Sequence, residues 1–324
     1  VFEKQTLLTY KNKMSKKISI VTPCYNEEGN IQNLYEKTKF EMLKYSGKYT
    51  YEHIFIDNAS LDNSVNIIKD ICSTDPNIKL IENARNFGHI RSPYYGLLQA
   101  TGDAVLLLVC DLQDPPELIH EFIKKWEQGF KIVVGCKNKT EEGFPFSLIR
   151  RTYYKILAFV SEIDMIQNFT GFGLYDKSII EILSRLDDPY PFFRGLICEL
   201  GFEKAIITYT QPLRKRGITK NNFYTLYDIG ILGLTSHSKK LLRLATLFGL
   251  AMSLISLLVS VFYFIYKLIY WNSFNIGIAP LVLGFFFFSS IQLVFLGILS
   301  EYVGNIYTKV MNRPLVVEKN RTNF

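Results

Sequence analysis

Residues 104–110 form an unbroken apolar run that stops at Asp111-Leu112-Gln113-Asp114-Pro115-Pro116. A run this short and this uniformly apolar predicts a strand buried on both faces, as in parallel sheets covered by helices on either side. In open α/β sheets, ligands bind outside the carboxyl ends of the strands. The polar residues that break the run are therefore delivered to a ligand crevice. Asp111 and Gln113, two residues apart, present oxygen donors of the kind that suit a hard cation such as Mg²⁺ or Mn²⁺.

The surrounding sequence repeats the same unit. Residues 18–22 predict a first strand, closed by Pro23 and a polar turn over 26–30, and residues 31–43 carry apolar side chains at helical spacing. Residues 53–56 predict a second strand ending at Asp57, and Asp62 caps a helix to about Cys72. A third strand over 78–81 precedes a helix over 92–100 with Pro93 in its first turn. After the apolar run, a helix from Pro116 to Gln128 leads to a fifth strand over 132–135. Strands alternating with helices predict an α/β fold with a doubly wound, mostly parallel, Rossmann-like sheet. The first strand is not followed by GxGxxG, which argues against a dinucleotide-binding fold. Residues 169–176 read as a loop leading to a strand, with a helix from Ser178.

The last third changes character. Residues 244–266 contain no charged side chain, and neither do residues 268–300. Each stretch exceeds the about 20 residues that cross a ~30 Å hydrocarbon layer, so a two-helix transmembrane hairpin is expected. Lys239, Lys240 and Arg243 precede the first stretch, and Lys309, Arg313, Lys319 and Arg321 follow the second. By the positive-inside rule both ends, and the large domain before them, face the cytoplasm. Residues 223–234 are amphipathic, as expected of an interfacial helix or of a surface helix packed on its own domain. The expected division is an N-terminal tail 1–16, a catalytic domain 17–221, a juxtamembrane segment 222–242, transmembrane helices 243–305 and a cytoplasmic C-terminal tail 306–324. Residues 1–13 differ from the rest, and Met14 reads as a natural start. The net charge of +7 fits positive-inside bias as well as it fits a phosphorylated or anionic-lipid partner. Five cysteines without a CxxC read as reduced and mostly buried, and four scattered histidines form no zinc-like cluster.

Four segments, each placed after a predicted strand, now carry a resemblance: Pro23-Cys24-Tyr25-Asn26-Glu27-Glu28, Asp57-Asn58-Ala59-Ser60, Arg85-Asn86-Phe87-Gly88 and Asp111-Leu112-Gln113-Asp114-Pro115-Pro116. The chain resembles the inverting family 2 glycosyltransferases of GT-A fold, and within them the polyisoprenyl-phosphate branch, from Lys17 to about Arg313. That branch includes dolichol-phosphate mannose synthases and bacterial undecaprenyl-phosphate sugar transferases. The resemblance implies a nucleotide site built from Pro23, Tyr25, Glu27 and Asp57, with Arg85, Asn86 and His89 lining the same crevice. It implies Asp111 and Gln113 as ligands of Mg²⁺ or Mn²⁺, with Asp111 catalytic through that ion. It implies Asp176 near the reacting carbon, and three readings stay open there: a catalytic base, a group that orients the sugar or a neighbouring cation, or a strand-end turn.

Two positions depart from the family pattern. Asn58 stands where a second acid is common, and Val109 stands where the first acid of Asp-x-Asp-x-Gln is usual, which puts metal affinity in doubt. Arg150, Arg151, Arg214 and Lys220 are the expected cations for the acceptor phosphate, with Arg suited to bidentate and Lys to point-charge recognition. The expected activity is transfer of a hexose from a nucleotide sugar, a UDP-sugar first, to polyisoprenyl (undecaprenyl) phosphate at the cytoplasmic face of a bacterial plasma membrane. The expected partners are that donor, that acceptor and the bilayer, with homo-oligomers open and no nucleic acid. Two rivals stand beside it: an inactive nucleotide-sugar-binding scaffold, which Val109 favours, and a processive polysaccharide synthase. The Gln-x-x-Arg-Trp motif of the latter is not formed around Trp126 or Trp271.

Overall fold

A computed structural model describes residues 16–138, 164–211, 232, 240–270 and 278–324. The chain divides into two compact units, one of residues 1–150, 164–221 and 312–324, the other of residues 151–163 and 222–311.

The first unit is built on one sheet. In chain order its elements are β1 (Lys17–Cys24), α1 (Ile31–Leu43), β2 (Thr50–Asp57), α2 (Ser64–Thr74), β3 (Ile78–Asn83), α3 (Gly88–Leu98), β4 (Ala104–Leu107), α4 (Ile119–Glu127), β5 (Ile132–Lys137), β6 (Phe169–Asp176), α5 (Lys177–Arg185), α6 (Phe193–Glu199) and β7 (Lys204–Tyr209). After the second unit the chain returns as β8 (Glu318–Thr322). The strand order is β7-β5-β6-β4-β1-β2-β3-β8. β4, β1, β2 and β3 run parallel, with Val21 opposite Leu107, Cys24 opposite Asp57 and Asp57 opposite Glu82. Only β6 and β8 run against the rest. This is the GT-A-like, mostly parallel arrangement that the sequence predicts.

Side chains alternate between two cores, as the strand period of two requires. Ile18, Ile20, Phe55, Leu80, Leu106 and Val133 meet Leu34, Ile68 and Phe122 on one face. Val21, Val105, Leu107, Val134 and Tyr175 meet Tyr94, Leu97, Ile179 and Ile197 on the other. All five cysteines are buried and unpaired, as expected.

Several elements differ from the sequence reading: β4 ends at Leu107 rather than at residue 110, the helix expected from Pro116 opens with a 3-10 turn over Pro116–Leu118, and three more differ as well. α3 begins at Gly88 rather than Ser92, so Pro93 lies inside it. The turn before it is set by side-chain hydrogen bonds that no propensity encodes, and these start the helix early. Phe169–Asp176 is strand throughout, held antiparallel to both β4 and β5. At Gly173 a Cβ would meet the Val133 carbonyl at 2.5 Å, so close strand packing explains the residue. β8 was read as tail because Glu318-Lys319-Asn320-Arg321-Thr322 has no apolar residue. It is held by backbone pairing to β3 and by Asn323 Nδ2, which donates to the carbonyls of Cys72 at 2.8 Å and Ile78 at 2.9 Å. A charged strand covers the β3 edge, which guards against edge-to-edge association.

The second unit contains α7 (Lys240–Ile269) and α8 (Ile278–Val310). Among the described residues one helical stretch, Gly284–Val310, is long and apolar enough to cross a membrane, with mean hydropathy 1.6. Leu242–Ile255 is apolar over a shorter length. The sequence expects two spans, and this measure bears out one. Of the juxtamembrane segment expected over 222–242, Leu232 and residues 240–242 are described and the rest lies outside the described residues.

At the base of the strands, Glu52 is buried and accepts from Lys17 Nζ at 2.7 Å, Lys79 Nζ at 2.8 Å, Ser19 Oγ at 2.5 Å and the Thr101 amide at 2.9 Å. Burial works to raise its pKa, but the two ammonium groups and the hydrogen bonds bring it down to about 2. Nearby His53 is buried against Phe55, and that burial lowers its pKa to about 3. Both folded-state values lie below the unfolded ones. Each group therefore contributes stability that is present at neutral pH and lost as pH falls, His53 from about 6.5 and Glu52 from about 4.3 downward. We expect the thermal midpoint of the detergent-solubilised protein to fall steadily below pH 6. In Glu52→Ala, which costs about 3 kcal/mol by stripping two lysines of their counter-charge, the portion of that fall below pH 4 should be reduced.

Candidate active site

Because β1 to β4 are parallel, their carboxyl ends share one edge of the sheet. Each continues into a loop that carries one of the polar segments. Pro23, Tyr25 and Glu27 follow from β1, Asp57 closes β2, Arg85, Asn86 and His89 follow β3, and Asp111 and Gln113 follow β4. The nine expected donor-side and metal residues thus share one crest.

The loops are stitched to one another. The Asn26 amide donates to Ser60 Oγ at 2.8 Å, the Leu61 amide to Asn26 Oδ1 at 2.7 Å, and the Glu27 amide to Ser64 Oγ at 3.0 Å. Asn30 Nδ2 donates to Glu27 Oε2 at 2.6 Å, which aims that carboxylate along its own turn. Asp57 is almost fully buried and accepts from the Ser60 amide at 2.9 Å and Ser60 Oγ at 2.5 Å. Burial raises its pKa above the usual aspartate value, against the pull of Ser60.

Asn58 explains its departure from the family pattern. Its Oδ1 accepts from the Phe87 amide at 2.8 Å and Asn83 Nδ2 at 3.1 Å, while its Nδ2 donates to Asn86 Oδ1 at 2.9 Å and the Gly88 carbonyl at 3.2 Å. A carboxylate could accept as Asn58 does but has no donor for the other two. The amide at this position therefore clips the β3 loop to β2, and Asn86 spends its oxygen on that clip and on the Gly88 amide at 2.8 Å.

Backbone strain gathers on the same crest. Among the described residues, Ala59 (φ 61°) and Leu112 (φ 58°) are the only ones other than Gly, Asn and Asp with positive φ. Each costs about 1–2 kcal/mol, and such strain concentrates where function over-determines the backbone. Leu112 turns the chain so that the Gln113 amide donates to Asp111 Oδ1 at 3.1 Å. Asp114, three residues on, is buried and accepts a short hydrogen bond from the Tyr209 hydroxyl at the end of β7. Burial pushes its pKa up to about 6. Sequence reasoning missed Tyr209, because β7 lies far along the chain and nothing local marks its last residue.

Among the described residues no group of three or more His, Cys, Asp or Glu side chains could hold a metal ion. Asp111 with the Gln113 amide still fits an ion that arrives with a diphosphate, since Mg²⁺ is commonly bound by one or two carboxylates, substrate phosphates and water.

Asp176 is not on the crest. It pairs with Ala104, the first residue of β4, so roughly 10 Å of strand separates it from Leu107, with Asp111 beyond. Its carboxylate accepts from Trp126 Nε1 at 2.9 Å, Ser178 Oγ at 2.7 Å and the Ser178 amide at 3.0 Å. Burial works to raise its pKa, but the indole and Ser178 hold it below the usual aspartate value. It caps α5. These contacts fit the strand-end reading of Asp176. A recess of about 280 Å³ beside Lys131 and Phe202 lies at this same amino-terminal edge, away from the crest. Arg150, Arg151, Arg214 and Lys220 lie outside the described residues.

An open, mostly parallel sheet with polar loops gathered at its carboxyl edge defines an α/β protein of GT-A-like fold. The sequence profile of glycosyl transferase family 2 matches residues 19–183, and the chain belongs to that family. It is 34% identical over 300 residues, 92% of either chain, to the uncharacterized glycosyltransferase YkcC of Bacillus subtilis. It is 32% identical over 307 residues, 94% of this chain and 97% of the other, to the bactoprenol glucosyl transferase of Shigella phage SfII. Among solved structures, the mannosyltransferase PcManGT of Pyrobaculum calidifontis, in complex with GDP-Man and Mn²⁺, covers 93% of this chain and 89% of its own at 14% identity and TM-score 0.47.

Two outcomes test this anatomy. Asn58→Asp should cost about 1–3 kcal/mol by removing a buried donor, seen as faster hydrogen exchange at the Phe87 and Gly88 amides and not at β4. Asp176→Ala should lower stability by about 1 kcal/mol through loss of the cap and leave kcat for glycosyl transfer unchanged.

Proposed function

We propose that this protein is an inverting hexosyltransferase that moves glucose from a nucleotide sugar, UDP-glucose in the first instance, to polyisoprenyl phosphate at the cytoplasmic face of a bacterial plasma membrane. The observation that carries this reading is the joining of Asp57 and Asp111 on one crest in a chain that matches bactoprenol glucosyl transferases over nearly its whole length. Membrane anchoring through both α7 and α8 is part of the proposal. At 30 and 33 residues they are about 45 and 50 Å long, more than a ~30 Å hydrocarbon layer requires.

In this reading Tyr25, Glu27 and Asp57 bind the nucleoside, Asp57 accepting hydrogen bonds from base or ribose. His89 faces the diphosphate. Asp111 and Gln113 would hold Mg²⁺ or Mn²⁺, whose Lewis acidity offsets charge on the leaving nucleoside diphosphate. An acceptor phosphate oxygen forms the new bond to the anomeric carbon as the bond to the donor's β-phosphate oxygen breaks, inverting that carbon. A phosphate monoester has its second pKa near about 6, so its oxygen is already anionic at pH 7. No protein base is required, in accord with the placement of Asp176. Holding donor and acceptor in one cleft supplies much of the rate.

The test is transfer of label from UDP-[¹⁴C]glucose to undecaprenyl phosphate by the full chain with Mg²⁺. Asp111→Ala, or chelation of the ion, should lower kcat roughly a hundredfold, the scale of losing one electrostatic contact to the developing charge. Undiminished transfer by the variant would remove Asp111 from its role. Binding of UDP-glucose with no transfer to any polyprenyl phosphate would establish the inactive scaffold that Val109 allows.

A further inference from the structure

Beside the β3 loop lies a recess of about 340 Å³ lined by Arg85, Phe87, Arg91, Arg313, Pro314 and Val317, among others. All of these residues belong to the sheet unit, and the Ala84 amide donating to the Val317 carbonyl at 2.9 Å holds the two chain segments together. Arg85 stacks its guanidinium on Phe87 at 4.1 Å and donates from Nη1 to the Asn86 carbonyl at 3.1 Å. Arg91 lies over Tyr190 at 5.2 Å. Its Nε is buried and has no hydrogen-bond partner.

The contrast with other cations is instructive. Lys17, Lys39, Lys69, Lys79 and Arg321 are each ion-paired with an acid. Among the described residues, no acid lines this recess and none of its three arginines has a carboxylate partner. Three uncompensated guanidinium groups around a small concavity, one with an orphaned buried donor, form a receptor for an anion. The planar fork of arginine matches phosphate oxygens bidentately. The remaining wall is apolar, and Arg313 follows Val310, the last residue of the apolar helix α8, by three positions. Basic residues immediately beyond a membrane helix attract anionic lipid.

We infer that this recess binds a phosphate group carried on a membrane lipid, through Arg85, Arg91 and Arg313. The inference rests on the membrane reading of α8. Two lipids offer that chemistry, the polyprenyl phosphate acceptor and an anionic phospholipid.

Native mass spectrometry of the full chain in detergent micelles separates them. Undecaprenyl phosphate, phosphatidylglycerol and, as an uncharged control, diacylglycerol are titrated against the parent, Arg313→Gln and the Arg91→Gln/Arg313→Gln double variant. The parent should retain at least one phosphate lipid, with affinity falling tenfold or more in the double variant and several-fold in Arg313→Gln, whose side chain is exposed. Diacylglycerol should not discriminate among them. Loss confined to undecaprenyl phosphate assigns the acceptor, and loss confined to phosphatidylglycerol assigns a headgroup site. Equal retention of both lipids by parent and Arg313→Gln overturns the inference. So does displacement by UDP, which would give the recess to the donor, or by equimolar inorganic phosphate, which would make the tail irrelevant. A chain that partitions into neither micelles nor vesicles refutes the membrane reading itself, an outcome distinct from equal retention.

Discussion

The parallel pairing of β4, β1, β2 and β3 is the constraint on which the rest depends. With both faces of these strands covered by helices, their side chains must be apolar or internally paired, and polar groups can leave the sheet only at its ends. Parallel register puts the carboxyl ends together. The loops after β1, β2 and β3 lie within hydrogen-bond reach of one another, and they use it: Asn26 to Ser60 and Leu61, Glu27 to Ser64, Asn58 to Asn83, Asn86 and Phe87. The strain at Ala59 is sustained by this cross-bracing, since its neighbours Asn58 and Ser60 are fixed from other strands, while near Leu112 it is Asp114 that is held, by Tyr209 of β7.

Much of this was legible in the sequence. Strand–helix alternation gave the sheet, and α1 was read with the bounds it has, because apolar period and burial coincide there. The donor-side residues were also legible, because each motif follows its strand directly and strand ends need no long-range information. What failed was long-range. β8 has no apolar pattern and exists only because β3 offers an edge. Asp114 is explained by Tyr209, and Asp176 by Trp126, partners that spacing cannot reveal. Asp176 is the instructive case. Its motif placed it correctly at a strand end, but β6 is antiparallel to β4, so that end lies at the edge of the sheet remote from Asp111.

The same geometry bears on chemistry. On the proposed reading the nucleophile is a phosphate oxygen with no proton to remove, and the carboxylates on this crest are braced by hydrogen bonds: Asp57 by Ser60, Glu27 by Asn30, Asp114 by Tyr209.

The final strand also orders biosynthesis. β3 emerges from the ribosome early, yet its outer edge waits for residues 318–322, which follow both long apolar helices. Translation therefore commits those helices to their surroundings before the catalytic sheet can be completed. A nascent chain stalled short of Glu318 would hold a nearly finished sheet with one naked border, the form most exposed to pairing with a neighbouring copy.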